Sequence, residues 1–435
     1  MNWKISPIYL ALGLTFSLFS ASSEAQPSEA KDTETSSNFL TANSHCTVSQ
    51  NKPRSKKVDP DRNLDGERFV EVLREMLPLD EHMGYVVIVQ NSALRNVATD
   101  TSGYAISNCD PGGPEAFTVD TRTAWGSVSK LITTAVVANR AQESNQVSLG
   151  DRFAPHIPNR WRLHSRFTEV TFAQLLGHRA GLRRSSGVDL RTRLATTNND
   201  PPVGERSYSN TGHGIAGRMI MIATGNSQGW ESQYANAPQQ EYDDWFNSWA
   251  SLLYLGFAES QVLAPANVND ASCGFDQYVE EGKPYARRYS SGSDPNGRLK
   301  PDARLSCFSG GWVMSARQMA RFMRTLRHTN AIVNRTTYGN MTACRLGFDG
   351  GGGAYVQGPA FHKNGLIRDN QGNRYSAYVV MLPGGYTAVA ASNSGSPISL
   401  RDAVRDAFNA SYSPPTASPV QAQIRARLGG RCVYW

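Results

Sequence analysis

The apolar residues recur at helical spacing in some stretches and form β-branched runs in others, which predicts a mixed fold. From Val128 they return at positions 131, 132, 135 and 136, the stripe of a helix packed against a core. An earlier helix is predicted to begin near Asp65 and to end at Pro78, since proline cannot continue a helix. The run Gly84–Gln90 predicts a strand, and residues 103–106 predict a second one.

Turn and capping residues mark the later elements. These are a short helix opened by a Thr171–Gln174 capping box, a helix from Tyr208-Ser209-Asn210 to Gly225, a hairpin of residues 376–382 and 386–392, and a helix through Leu400, Val404 and Phe408. Residues 226–305 have weak periodicity, and no element is assigned to them.

The predicted strands lie towards both ends of the chain, while the middle is mainly helical. We therefore predict an α/β (α+β) fold with a helical insertion. The α/β part is assigned to about residues 61–150 and 305–412, and the helical part to about 151–304. Residues 413–435 are predicted to be a polar C-terminal tail.

The N-terminus has the pattern of an export signal. Lys4 precedes an apolar run over residues 8–18, and the small residues around Ala25 predict a signal peptide of residues 1–25. An uncleaved anchor is the alternative. No later stretch is long and apolar enough to span a membrane. Residues 26–60 are polar and predict a flexible linker, and the mature protein is expected to be secreted or periplasmic.

The cysteines agree with an oxidising compartment. All six lie beyond the predicted signal, and none has the C-x-x-C spacing of zinc or dithiol redox sites. An even number after an export signal indicates disulfides, although about fifteen pairings remain open. Because Cys46 and Cys432 lie near the ends, we expect bridges that pin the tails.

Charge and histidine spacing exclude some partners. The net charge is +7, but the basic residues are dispersed and only Lys52–Lys57 are clustered, without interleaved aromatics. We therefore predict no nucleic-acid partner. The eight histidines have no H-x-x-x-H spacing, so neither a metal nor another cofactor is expected. The sequence does not indicate an oligomeric state.

Ser127 is the strongest candidate for chemistry. It stands at the start of the predicted helix, where backbone N–H groups and the helix dipole favour an oxyanion. Lys130, three residues later, returns to the same face of the helix, within reach of the serine hydroxyl. A serine hydroxyl is a poor nucleophile and needs such a nearby base.

Two later segments could complete this site, and with it they carry a family resemblance. They are Tyr208-Ser209-Asn210 and His362-Lys363-Asn364-Gly365. SVSK, YSN and HKNG, in this order, resemble the three motifs of the serine β-lactamase and penicillin-binding-protein superfamily, closest to its class C and DD-peptidase/esterase branch. Residues 174–182 and 309–315 resemble flanking segments of that family. The resemblance implies an antiparallel sheet flanked by helices with a mainly helical inserted domain.

The resemblance also implies roles for individual residues. Ser127 would be the acylated nucleophile, and Lys130 and Tyr208 would move protons, with the choice of general base left open. Asn210 would bind Lys130 or a substrate amide. Lys363, Asn364 and Gly365 would bind substrate, and the N–H groups of Ser127 and Leu366 would form the oxyanion hole. These roles predict an exported serine hydrolase.

The third motif departs from the family pattern. Lactamases usually carry K-T-G or K-S-G there, whereas this chain has Asn364, whose amide replaces the hydroxyl that would bind a lactam carboxylate. The change favours small esters, amides or D-amino-acid peptides as substrates. A β-lactamase or DD-carboxypeptidase is one alternative, and a non-catalytic ligand-binding member of the family is another. His178 could suggest a Ser-His-Asp triad, but it follows a helix stop, and we predict a structural role for it.

Overall fold

An antiparallel sheet with helices on both faces forms the centre of the protein. The computed structural model describes residues 46–48, 52–59, 61, 63–78, 82–183, 189–196, 200–226, 230–300, 306–351, 355, 358, 360–395 and 399–413. The predicted signal peptide, Cys432 and all of the predicted tail beyond residue 413 lie outside these residues.

The strands are distributed between the two ends of the described chain. They are β1 Arg54–Val58, β2 Gly84–Gln90, β3 Asn96–Ile106, β4 Glu115–Ala116, β5 Arg122–Ala124, β6 Val313–Ser315, β7 Gly350–Gly351, β8 Phe361–Arg368, β9 Arg374–Met381 and β10 Thr387–Ser392.

Most of the described helices lie between β5 and β6, and the others come before or after this stretch. They are α1 Gly66–Met76, α2 Ser129–Ser144, α3 Phe172–Leu176, α4 Leu190–Ala195, α5 Asn210–Met221, α6 Trp230–Gln233, α7 Gln239–Phe257, α8 Asp276–Glu280, α9 Ala316–His328, α10 Arg335–Ala343 and α11 Leu400–Ser411.

Within the described residues, the main sheet has eight strands in the order β1-β3-β2-β10-β9-β8-β7, with β4 also paired to β3. All of these pairs are antiparallel. The central pair joins β2 to β10, so that Gln90 lies opposite Thr387. Strands β5 and β6 form a separate two-stranded sheet. The predicted fold class, an antiparallel sheet flanked by helices, is confirmed.

Local capping explains why several helices begin where the sequence predicts. The Asp65 side chain accepts a hydrogen bond from the Arg68 N–H at the start of α1. Thr171 and Gln174 make both bonds of the predicted capping box at α3. The predicted strand Gly84–Gln90 is β2 residue for residue, while β3 is longer than the predicted segment 103–106.

The two faces of the sheet pack against different helices. One face carries Val86, Ile88 and Val379 and packs against the larger core, which includes Leu131 and Ile132 of α2. The opposite face packs against apolar residues of α1 and α11, such as Phe408. Because α2 lies against the larger core, the segment that carries Ser127 is held firmly between the sheet and the central helices.

The predicted linker of residues 26–60 extends too far. Arg54–Val58 form an edge strand whose main chain pairs with β3, from Arg54 opposite Ser102 to Val58 opposite Ala98. Its side chains are mostly exposed, so the strand is held by backbone hydrogen bonds and leaves no apolar pattern in the sequence. Lys52, just before it, is buried and donates to the carbonyls of His82 and Gly292 at 2.9 and 2.6 Å.

Disulfides close two described loops. Cys46 is bonded to Cys109 and Cys273 to Cys307, and Cys344 is also disulfide-bonded. The first bridge ties residue 46 to the loop after β3, as expected for a cysteine near the N-terminal end. Among the described residues, no helix combines the length and apolar character needed to cross a membrane.

Candidate active site

Ser127 lies in a 3₁₀ turn, Gly126–Val128, that leads directly into α2. Trp125 and Val128, on either side, are fully buried. The Trp125 N–H donates to the Trp312 carbonyl at 3.0 Å, and the indole N–H donates to the Met314 carbonyl at 2.9 Å. Rigid neighbours therefore fix the partly exposed serine.

Lys130 is a fully buried cation directly below the serine. Its Nζ donates to Ser127 Oγ at 3.2 Å, to Asn210 Oδ1 at 2.7 Å and to the Ser309 carbonyl at 2.5 Å. These acceptors compensate the burial of the ammonium group. They also aim it at the serine hydroxyl.

Tyr208 brings a second proton-carrying group to the same hydroxyl. Its OH lies 2.5 Å from Ser127 Oγ and 3.4 Å from Asn210 Oδ1. The Nζ atoms of Lys130 and Lys363 lie 5.1 and 4.8 Å from the centre of its ring. The phenol ring thus stands between the two lysine side chains.

A buried pair of imidazoles supports the tyrosine. His178 accepts a hydrogen bond from the Ser209 N–H through Nδ1 at 3.2 Å, and its carbonyl accepts from the Ser207 N–H at 2.8 Å. Its ring lies 4.6 Å from the Tyr208 ring and 5.0 Å from that of His213. His178 thus accepts hydrogen bonds from the backbone on both sides of Tyr208.

Both imidazoles are held neutral. Burial, reinforced by the charges of Lys363 and Lys130, lowers the pKa of His178 to about 2. Burial likewise lowers the pKa of His213 well below its ordinary range. Among the described hydrogen bonds, none joins His178 to Ser127, so this geometry gives no support to a serine–histidine triad.

Lys363, on β8, carries an ion pair that the sequence does not reveal. Its Nζ donates to Asp349 Oδ1 at 2.5 Å, and the Asn364 N–H donates to Asp349 Oδ2 at 2.9 Å. Burial alone would raise the pKa of Asp349, but the Lys363 ammonium and the Asn364 N–H outweigh it and hold this pKa below its usual value. Asp349 is therefore a carboxylate at neutral pH.

The backbone of Ser127 and that of β8 approach unusually closely, and two glycines permit this. A Cβ at Gly365 would lie 2.1 Å from the Trp125 carbonyl oxygen. A Cβ at Gly126, where φ is +51°, would lie 2.8 Å from the Leu366 nitrogen. The Leu366 amide therefore abuts the turn that carries Ser127. The Leu366 side chain is 55% exposed.

The structure brings all eight sequence-predicted site residues into one region. Ser127, Lys130, Tyr208 and Asn210 share direct hydrogen bonds, and Lys363 faces the tyrosine ring. Asn364, Gly365 and Leu366 follow Lys363 on β8, beside the serine turn. Three further groups of this region were not predicted from the sequence: the Asp349 carboxylate, the Ser309 carbonyl and the His213 imidazole.

No metal-binding cluster is present among the side chains that the structure describes. They contain no group of three or more His, Cys, Asp or Glu residues that could hold a metal ion.

The described chain thus combines an antiparallel sheet between helices with a serine, a lysine and a tyrosine that meet at a helix start. The family described as Beta-lactamase matches residues 89–409, and the chain belongs to this family. The resemblance predicted from the motifs is thus confirmed. Proteins of this family are generally serine hydrolases that react through an acyl-enzyme.

Solved structures agree on the fold. The octameric penicillin-binding protein homologue from Pyrococcus abyssi is 17% identical, with a TM-score of 0.57 over 78% of this chain and 76% of that one. The class C beta-lactamase from Rhodobacter sphaeroides is 18% identical, with a TM-score of 0.56 over 79% of this chain and 98% of that one. No curated protein matches the chain in sequence.

Proposed function

We propose that the protein is an exported serine hydrolase that acts through an acyl-enzyme on small esters, amides or D-amino-acid peptides. One observation carries this proposal. Ser127 Oγ is hydrogen-bonded both to the Tyr208 hydroxyl, at 2.5 Å, and to the Lys130 ammonium, at 3.2 Å. A hydroxyl between two groups that can exchange protons is poised for nucleophilic attack.

In the acylation step, Ser127 Oγ attacks the substrate carbonyl carbon, and its proton passes to whichever of its two neighbours enters the step deprotonated, Tyr208 as phenolate or Lys130 as neutral amine. The tetrahedral intermediate collapses, the bond to the leaving group breaks, and the protonated base returns its proton to that group. Asn210 holds the Lys130 ammonium in place at 2.7 Å. Tyr208 is the better placed proton donor because its hydroxyl is the nearer of the two to Ser127 Oγ.

Stabilisation of the oxyanion falls to two backbone amides, those of Ser127 and Leu366. The close approach at Gly126 and Gly365 supports this assignment, because it keeps the Leu366 nitrogen beside the serine turn. Donors fixed in this way need no rearrangement as negative charge develops on the carbonyl oxygen. Water then attacks the acyl-enzyme by the same proton route in reverse and releases the acid.

Export is supported by the leader-like N-terminus and by the disulfides. Cys46–Cys109 and Cys273–Cys307 are bonds typical of proteins outside the cytoplasm. The proposed location is therefore secreted or periplasmic.

The test is covalent labelling of the mature protein with a fluorophosphonate probe, together with turnover of p-nitrophenyl acetate. The Ser127→Ala variant should lose both labelling and turnover. A matched control is Ser260→Ala, which removes an exposed serine whose hydroxyl donates to the Gly256 carbonyl, and it should keep both. Labelling that persists in Ser127→Ala would contradict the proposal.

Labelled penicillin separates the alternatives in the same experiment. Penicillin turnover that exceeds ester turnover would favour the β-lactamase or DD-carboxypeptidase alternative. A wild-type protein that forms no covalent adduct with any probe would favour a ligand-binding member of the family.

A further inference from the structure

The lysine of the third motif is already matched by a carboxylate of the chain itself. Asp349 lies between α10 and β7, and its N–H donates to the His362 carbonyl at 2.9 Å. This bond sets Asp349 against the beginning of β8. From there its carboxylate reaches Lys363 Nζ with one oxygen and the Asn364 N–H with the other.

The geometry of this ion pair limits what a ligand could do at Lys363. The lysine side chain is 0% exposed, whereas that of Asp349 is 22% exposed. Of the two charged groups, only the carboxylate is accessible to solvent. An anionic substrate group would have to displace Asp349 or lie against it, and like charges at close range repel.

The ion pair lies beside Tyr208, so in the proposed mechanism it is near the leaving group. Lys363 Nζ is 4.8 Å from the Tyr208 ring centre, and Tyr208 is the residue proposed to protonate the leaving group. The Asn364 amide, which follows Lys363 on β8, is also engaged, with Nδ2 3.4 Å from Asp349 Oδ2. Asp349 thus accepts hydrogen bonds from both Lys363 and Asn364 of the third motif.

We propose that Asp349 is a specificity-determining residue that makes this site select leaving groups without a carboxylate. The preferred substrates are neutral or cationic esters and amides, and substrates with an anionic leaving group are disfavoured. This inference rests on the proposed serine hydrolase function and adds the substrate class to it. It argues against penicillins and against peptides that end in a free D-amino acid, since both carry a carboxylate near the scissile bond.

The test compares phenyl acetate with 3-acetoxybenzoate, which differ only by a carboxylate on the leaving group. The wild-type protein should have the higher kcat/KM for phenyl acetate, after correction for spontaneous hydrolysis. In Asp349→Asn the ratio of the two kcat/KM values should move towards 3-acetoxybenzoate by about tenfold or more, because one negative charge near the ligand has been removed.

Two further variants make the comparison specific. Asp120→Asn removes a carboxylate that pairs with Arg317 and is 53% exposed, and it should leave the ratio unchanged. Asp349→Glu keeps the charge and should keep the wild-type preference. Thermal unfolding of each variant reports whether it is folded.

The outcomes separate the two proposals. If neither ester shows Ser127-dependent turnover, the proposed function fails and this inference fails with it. If both esters are turned over but Asp349→Asn leaves their ratio unchanged, only the role of Asp349 is overturned. Equal kcat/KM values for the two esters in the wild-type protein would overturn it as well, whether or not Asp349→Asn folds.

Discussion

Replacing Gly365 by alanine tests whether the oxyanion hole depends on the close backbone approach beside Ser127. The added Cβ would lie 2.1 Å from the Trp125 carbonyl oxygen, and such contacts are essentially never shorter than 3.0 Å. The β8 backbone and the serine turn must therefore separate by about 0.9 Å. A displacement of this size in a catalytic geometry lowers the rate by about 10²-fold, and loss of one oxyanion donor by about 10²- to 10³-fold.

The assay is single-turnover acylation by p-nitrophenyl acetate, monitored through the release of p-nitrophenol. Thermal unfolding is measured in parallel. A suitable control is Gly339→Ala in α10, where an added Cβ meets nothing within 4 Å. It should acylate at the wild-type rate. Gly126→Ala gives a second perturbation from the other side of the contact, since its Cβ would lie 2.8 Å from the Leu366 nitrogen.

The result that would refute this reasoning is a folded Gly365→Ala protein that acylates within about twofold of wild type, when a loss of about 10²-fold is expected. The oxyanion hole formed by the Ser127 and Leu366 amides would then not depend on the close approach of Gly365 to Trp125. Gly126→Ala should show a loss at least as large, because its positive φ adds backbone strain to the same contact.

Three further predictions concern the groups around the serine. Lys130→Ala should lower the acylation rate by about 10²-fold or more, because proton transfer is lost, and an unchanged rate would remove Lys130 from the mechanism. His178→Ala should lower the acylation rate by about tenfold, because the Ser209 N–H loses its acceptor. His178→Asn can accept that bond and tolerates the φ of 59°, so it should restore most of the acylation rate. Equal rates in the two variants would contradict this. The pKa values of His178 and His213 are lowered in the folded chain. Below the ordinary histidine pKa of 6.5, the unfolded chain therefore binds protons at these positions and the folded chain does not. The contribution of the two imidazoles to the free energy of unfolding is fully present above that pH and is lost on acidification. Urea unfolding between pH 7 and pH 5 should show a loss approaching about 1.4 kcal/mol per pH unit for each imidazole, and His178→Asn should remove one of the two contributions.

Elements with local signals were predictable from the sequence, whereas long-range elements were not. The N-caps of α1 and α3 and the apolar stripes of α1 and α2 involve residues within one or two turns of each other. Helix α7 escaped prediction although it has a regular stripe of buried residues. The stripe consists of Tyr242, Phe246, Ala250 and Tyr254, and two tyrosines and an alanine give a weak contrast with the polar face.

The residues of the site likewise divide into those that stand in local sequence motifs and those that only the fold brings together. Ser127, Lys130, Tyr208 and Lys363 stand in motifs that can be read along the chain. Asp349 has no such motif, because its role depends on a bond to the His362 backbone and on the pairing of β7 with β8. The edge strand β1 was missed because its exposed polar residues resemble a linker, and only its backbone pairing with β3 distinguishes it from one.

The pairing of β2 with β10 has a consequence for how the chain matures. Gln90 and Thr387 are neighbours in the sheet although nearly the whole domain separates them along the chain. Synthesis must reach β10 before the sheet can close, so the nascent protein stays without its central partner strand until late in translation. For the proposed export, a chain that remains open in this way is suited to passing through a translocation pore before it folds.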